Sequence, residues 1–159
     1  MTYEGQAAME LEDHAKRALS SDWKKALRSM PFNVSSFLLD GSDGKWEIDS
    51  LEFIRIVIKE IQAGKSPAEI SRNFHFLLIR SLAALVKELS RRTELKKVLL
   101  SGGCMQNSII LEGLSHIMTF ENIETFTGEN IPLNDGGISL GQTIIGGLQH
   151  VSRNSHEGN

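Results

Sequence analysis

Residues 97 to 126 constrain the fold of this chain more than any other stretch. Lys97-Val98-Leu99-Leu100 reads as a short apolar strand and Ser101-Gly102-Gly103 as a tight turn. Met105 to Met118 then reads as an amphipathic helix with Ile110, Leu114 and Ile117 on one face, and Ile123 to Phe126 as a second strand. A strand, a helix and a strand in that order predict a crossover unit, because two parallel neighbours need a connection long enough to return across the sheet. The chain is therefore expected to be α/β, helix-rich, with a small and partly parallel sheet.

The flanking sequence fills in the helices. Glu4 to Leu19 carries Ala7, Ala8, Leu11, Ala15, Ala18 and Leu19 at helical spacing. Met30-Pro31 interrupts the chain. Ser35 to Leu39 and Lys45 to Ile48 predict a hairpin around the turn Asp40-Gly41-Ser42-Asp43-Gly44. That turn is no calcium loop, since Lys45 and Leu51 stand where glycine and glutamate are needed. Asp49 and Glu52 form a capping pair, followed by Leu51, Ile54, Ile58 and Ile61 on one face and a stop at Gly64. Ser66-Pro67-Ala68-Glu69 is a strong start for a helix that ends near Arg92, with Ile70, Phe74, Leu77, Leu78, Leu85 and Leu89 inward. A last helix is expected from Gly137 to Leu148. Residues 1–150 then form one domain, and the polar segment 151–159 is expected to be a disordered tail.

Two glycine corners carry the chemistry. At Ser101-Gly102-Gly103-Cys104-Met105-Gln106-Asn107 the glycines allow close approach of a ligand, and the helix start behind them offers N–H groups and partial positive charge to a phosphate. No Gly-Lys-Ser/Thr follows, so this is not a P-loop, and it is not the dinucleotide fingerprint. Asn107 suits a ribose or phosphate oxygen, and it equally suits a helix cap. The second corner, Pro132-Leu133-Asn134-Asp135-Gly136-Gly137, holds a carboxylate able to ligate a cation, and Asp135 is also a natural N-cap for the last helix. A shared site requires both bends to open into one pocket.

Composition narrows the function. A net charge of −3 gives no electrostatic case for nucleic acid. The single cysteine, Cys104, excludes a disulfide framework and an all-thiolate metal site, and fits a reducing, cytoplasmic compartment. No stretch is long and apolar enough for a membrane span, and the first residues lack the pattern of a signal peptide. Of five histidines no two are three to five residues apart, so no helical pair for zinc or iron exists. His75 is expected to be a core or groove residue.

Four segments together carry a resemblance. Tyr3-Glu4-Gly5-Gln6-Ala7-Ala8-Met9-Glu10-Leu11-Glu12, Asn73-Phe74-His75, Leu100 to Asn107, and Pro132 to Gln142 occur in this order and at suitable spacing. Together they closely resemble the C-terminal part of the HypF family of hydrogenase-maturation carbamoyltransferases. The resemblance implies one lobe of an actin-like, ribonuclease-H-like ATPase fold. It implies ATP or a carbamoyl adenylate as the bound nucleotide, made from carbamoyl phosphate and ATP, and the C-terminal cysteine of a HypE-type protein as acceptor. It assigns Ser101, Gly102, Gly103, Asn107 and Gly136 to the nucleotide, and Asp135 to a divalent metal (iron, zinc or magnesium). Phe74-His75 matches a signature read as structural.

The departure from that family is large. Its metal site also needs an H-x-x-x-H pair, which in the family lies upstream of the Tyr-Glu-Gly-Gln segment and is absent here. The chain is thus expected to be one lobe of a two-lobed transferase, an expressed fragment or a truncated natural relative, and inactive by itself. The missing N-terminal lobe is the first expected partner, and the face it would cover is expected to be apolar and open to self-association into a homo-oligomer. The rival expectation is a non-catalytic nucleotide- or protein-binding module in which the glycine corners are only turns.

Overall fold

The computed structural model describes residues 3–31, 33, 37–40, 45–128 and 134–156. In chain order the elements are α1 (Gln6–Arg17), α2 (Trp23–Ser29), β1 (Leu38–Asp40), β2 (Trp46–Ile48), α3 (Ser50–Gln62), α4 (Pro67–Thr93), β3 (Lys97–Leu100), a 3-10 turn (Gly103–Gln106), α5 (Ser108–Phe120), β4 (Glu124–Thr127), a second 3-10 turn (Asp135–Gly137) and α6 (Ile138–His156). The crossover unit forms as the sequence requires: β3 and β4 pair in parallel, from Lys97 beside Glu124 to Leu100 beside Thr127. The hairpin pairs antiparallel, Leu38 with Ile48. Its tip, residues 41–44, and residues 35–36 of the expected first strand lie outside the described residues.

The long helix α4 is the spine. Its start is a full capping box, in which the Ser66 hydroxyl accepts from Glu69 N while Ser66 N donates to the Glu69 carboxylate at 3.1 Å. Pro67 occupies the first turn, where a missing N–H costs nothing. Helix α3 begins more simply, with Asp49 accepting from Leu51 N at 2.9 Å. Along α4, His75, Phe76, Leu77, Ile79 and Ala83 are buried, while Leu89, expected inward, is exposed. The hydroxyl of Ser81 donates to Leu77 O at 2.9 Å and that of Ser90 to Leu95 O at 2.6 Å, so these buried polar groups are satisfied.

The main core lies where α1, α2, α4, α5 and the inner side of β3 meet. Ala15, Leu27, Ile79, Leu114, Met118 and Leu100 are its centre. Gly113 permits the close approach of α5, because a Cβ there would lie 2.7 Å from Ile79 Cδ1 and 3.1 Å from Leu27 Cδ2. A smaller cluster, Phe37, Phe53 and Leu77, seats the hairpin and α3, with Phe37 and Phe53 edge-on at 5.0 Å.

Helix α2 was not expected from the sequence. It has seven residues and no side-chain cap at Asp22, so tertiary contacts hold it. Leu27 is fully buried, Lys24 pairs with Glu112 of α5 at 2.8 Å, and Arg28 lies 3.7 Å over the Phe120 ring. Three further corrections concern α3, α5 and α6. The stripe Leu51, Ile54, Ile58 and Ile61 faces solvent, and α3 buries Phe53 instead. Helix α5 starts at Ser108, not Met105, because a separate 3-10 turn follows the glycines. Helix α6 runs past Leu148 to His156, into the segment expected to be a tail.

Several apolar faces are open. Parallel strands are ordinarily covered on both sides, yet Leu99 is 70% and Phe126 43% exposed on the outer side of the pair, while Leu100 is buried. On α6, Ile138, Ile144, Ile145 and Leu148 are all exposed. Among the described residues no helix is long and apolar enough to cross a membrane.

The core position of Leu27 gives a direct check. Leu27→Ala is expected to cost about 2–5 kcal/mol, as a fully buried leucine does when a cavity is left behind. Leu99→Ala, on the open face, is expected to change the urea unfolding midpoint little.

Candidate nucleotide site

The glycine corner is built by backbone geometry that its sequence permits. Gly102 has φ 102° and ψ 162°, a conformation essentially confined to glycine. From it the chain enters the 3-10 turn, with Met105 N donating to Gly102 O at 3.0 Å. Gly103 has ordinary φ and nothing within 4 Å of where a Cβ would stand, so its lack of a side chain keeps space open rather than relieving strain.

Asn107 closes the turn and caps α5. Its Oδ1 accepts from Ile110 N at 3.1 Å, and its Nδ2 lies 2.9 Å from His75 Nε2. His75 is 2% exposed, and its Nδ1 lies 2.8 Å from Ser71 O. Burial holds the imidazole below its usual pKa, against the opposing pull of the Ser71 carbonyl and the Glu12 charge. The Ser71 hydroxyl in turn donates to Leu11 O, which ties α4 to α1.

The other occupant of the helix start is Glu12, which lies 96 residues away in sequence. Its Oε1 accepts from Ser108 N at 3.0 Å, from Ser108 Oγ at 2.7 Å and from Lys16 Nζ at 2.8 Å. Burial alone would push this carboxyl up. The bonds from Lys16 and Ser108 outweigh burial and hold it below its usual value of 4.5. This overturns one sequence expectation. The first turn of α5 does not hold out a row of free N–H groups to a phosphate, because Glu12 and Asn107 already take those of Ser108 and Ile110.

These groups surround a pocket of about 420 Å³, whose lining includes Gly5, Met9, Glu12, Phe74, His75, Leu78, Gly103, Cys104, Gln106, Asn107 and Ile110. Of the residues singled out from sequence, Gly103 and Asn107 line it. Ser101 and Gly102 are exposed and lead into it along the turn, and are not lining residues. Asp135 and Gly136 do not line it either. They are exposed in the 3-10 turn that leads into α6, a turn that Asn134 caps by accepting from Gly136 N at 3.1 Å. Of the polar pocket residues, Glu12 was not singled out from the sequence, and His75 was read there as a core or groove residue. Both lie within segments that carried the resemblance, but nothing in their spacing reveals partners 96 and 32 residues away.

Among the described residues no group of three or more His, Cys, Asp or Glu is placed to hold a metal ion. One carboxylate, Asp135, does not make a coordination shell, so the residues present do not fit a metal by themselves.

Known proteins can now be set beside this geometry. A family model for the second subdomain of the Kae1-like carbamoyltransferase domain matches residues 1–142. The chain belongs to the HypF carbamoyltransferase family. It corresponds to the C-terminal part of HypF. It is 29% identical to carbamoyltransferase HypF2 of Cupriavidus necator over 91% of its own length and 19% of that protein. It is 30% identical to HypF of Rhizobium leguminosarum over 97% of its length and 18% of that protein. A crystal structure of full-length HypF in a phosphate- and nucleotide-bound form superposes with a TM-score of 0.77 at 30% identity, covering 92% of this chain and 18% of that one. The chain thus spans less than a fifth of these relatives, and the helix-rich α/β fold with a small parallel sheet is the HypF fold.

The Glu12 carboxylate makes a pH prediction with a definite sign. A carboxyl depressed by folding contributes stability above its unfolded value, and that contribution is lost as pH falls through the lower folded value. Glu12→Gln is therefore expected to destabilise the chain at pH 7. The gap from wild type is expected to shrink once the pH drops well below 4.5, the usual value. Urea unfolding of both proteins at pH 7 and pH 3 checks this, and an equal gap at both would contradict it.

Proposed function

We propose that this chain supplies the nucleotide-facing part of a carbamoyl-transfer site, with the pocket between α1, α4 and the glycine turn as its own share of that site. The observation that carries the proposal is the convergence of Gly103 and Asn107 with Glu12 and His75 on one pocket, in a chain of the HypF family. That a HypF structure is described as phosphate- and nucleotide-bound makes a nucleotide the natural ligand class.

Each residue has a definite task in this reading. Gly103 leaves room for close approach, and Asn107 presents a polar amide held in place from behind. Glu12 fixes the start of α5, and Met9, Leu78 and Ile110 wall the pocket with apolar surface that limits water. When bound, a carbamoyl adenylate made from carbamoyl phosphate and ATP would supply the carbamoyl group for attack by the cysteine thiolate of a HypE-type acceptor, with AMP as the leaving group, in the cytoplasm, during hydrogenase maturation. Ser101 and Gly102 would contribute backbone where the turn leads into the pocket, while Gly136, which does not line that pocket, would reach the nucleotide only from outside it. Asp135 would give one ligand to a divalent metal only when a second lobe with an H-x-x-x-H pair provides the rest. The open faces of the β3–β4 pair and of α6 are where we place the other domains of the full-length enzymes, or a second copy in their absence. By itself the chain is expected to be inactive, because the residues present do not complete a metal shell.

A second reading, an interaction module without catalysis, draws on the same exposed helices α3 and α6. Calorimetry with ATP separates the two. The wild-type chain is expected to bind. Gly103→Arg, whose Cβ would meet nothing within 4 Å but whose side chain crowds the pocket, is expected to bind at least about tenfold more weakly, a loss of roughly 1.4 kcal/mol. No heat from either folded protein would contradict the nucleotide reading and favour the module.

A further inference from the structure

We propose that His75 is a positioning residue that fixes the polarity of Asn107, so that the pocket meets its ligand with an N–H donor. This deepens the nucleotide reading above and rests on it for the identity of the ligand.

Ser71 O can only accept, so the His75 Nδ1 that lies 2.8 Å from it carries the proton. In a neutral imidazole the other nitrogen, Nε2, is then an acceptor and needs a donor. Asn107 faces it at 2.9 Å. The opposite end of the same amide is settled independently, because Ile110 N is a donor and only Oδ1 can accept from it at 3.1 Å. Both constraints demand the same orientation: Oδ1 toward α5 and Nδ2 toward His75. A flip of the amide would set oxygen against the bare Nε2 and NH₂ against an N–H, losing two bonds at once.

One Nδ2 proton remains after these bonds, on a residue that lines the pocket. The groups around the imidazole reinforce the neutral tautomer. It is almost fully buried, Phe74 meets it edge-on with ring centroids 6.1 Å apart, and the neighbouring Glu12 charge is already engaged by Ser108 and Lys16. Through Asn107 the corner is thus set to recognise an oxygen acceptor, such as a ribose or phosphate oxygen.

Two measurements on the whole chain test this. Nitrogen-15 NMR of the wild type at neutral pH should show His75 protonated at Nδ1 and bare at Nε2, with the Asn107 side-chain amide slow to exchange. A proton on Nε2, or a freely rotating amide, would overturn the proposal. Calorimetry with ATP is then compared among wild type, His75→Leu and His75→Gln. The leucine, which accepts nothing, is expected to weaken binding about tenfold, the usual worth of one such hydrogen bond. The glutamine, whose amide oxygen can stand in for Nε2, is expected to restore most of it. Equal affinity in folded His75→Leu would overturn the proposal. If the wild type binds no ATP, the nucleotide reading fails and the tautomer measurement alone decides the positioning role.

Discussion

The carboxylate of Glu12 on the first turn of α5 is the interaction on which the rest of the site depends. It joins the first helix of the chain to a segment 96 residues later. Side-chain ordering and partial desolvation work against such a contact. Three charge-assisted bonds at one oxygen, and the favourable placement of an anion at a helix start, work for it. With α1 held there, Leu11 O reaches Ser71, and one wall of the pocket is complete. Without it, α5 would begin with an unsatisfied donor at Ser108.

The same contact sets a limit on how an anion can bind. The N-terminus of α5 already has its negative partner in Glu12, so in the proposed reading a ligand would meet the glycine backbone and one proton of Asn107. This is a narrower and more directional recognition surface than a bare helix dipole. The outer side of the structure is different in kind. A two-stranded parallel pair with Leu99 and Phe126 exposed, and helices with apolar stripes facing water, describe surfaces suited to contact with further protein. That agrees with a chain spanning less than a fifth of the HypF relatives it matches.

What the sequence made legible was local. The capping box at Ser66–Glu69, the crossover from Lys97 to Phe126 and the sharp turn at Gly102 are each encoded within a few neighbouring residues. The β-branched run Ile54 to Ile58 could have been a strand, and its cap at Asp49 rightly pointed to helix. Other features depend on distant partners. Helix α2 has no cap and exists because Leu27, Lys24 and Arg28 find α4 and α5. The stripe on α3 was visible as a stripe, but periodicity cannot say whether an apolar face meets this chain's own core or another surface. At the site, Asn107 was legible as a residue with two possible tasks. Only the structure shows that the two ends of its amide have different partners, Oδ1 the Ile110 N–H and Nδ2 the His75 ring.

Amide hydrogen exchange at the start of α5 is the most direct measure of this arrangement. The N–H groups of Ser108 and Ile110 occupy first-turn positions that no bond inside the helix protects. If Glu12 and Asn107 hold them, both exchange far more slowly than exposed first-turn amides, and Ser108 loses its protection selectively when Glu12 is replaced by alanine, which offers no acceptor, while α4 stays protected. Exchange of both at the rate of an unstructured peptide in the wild-type chain would contradict the clamp, and with it the pocket built upon it.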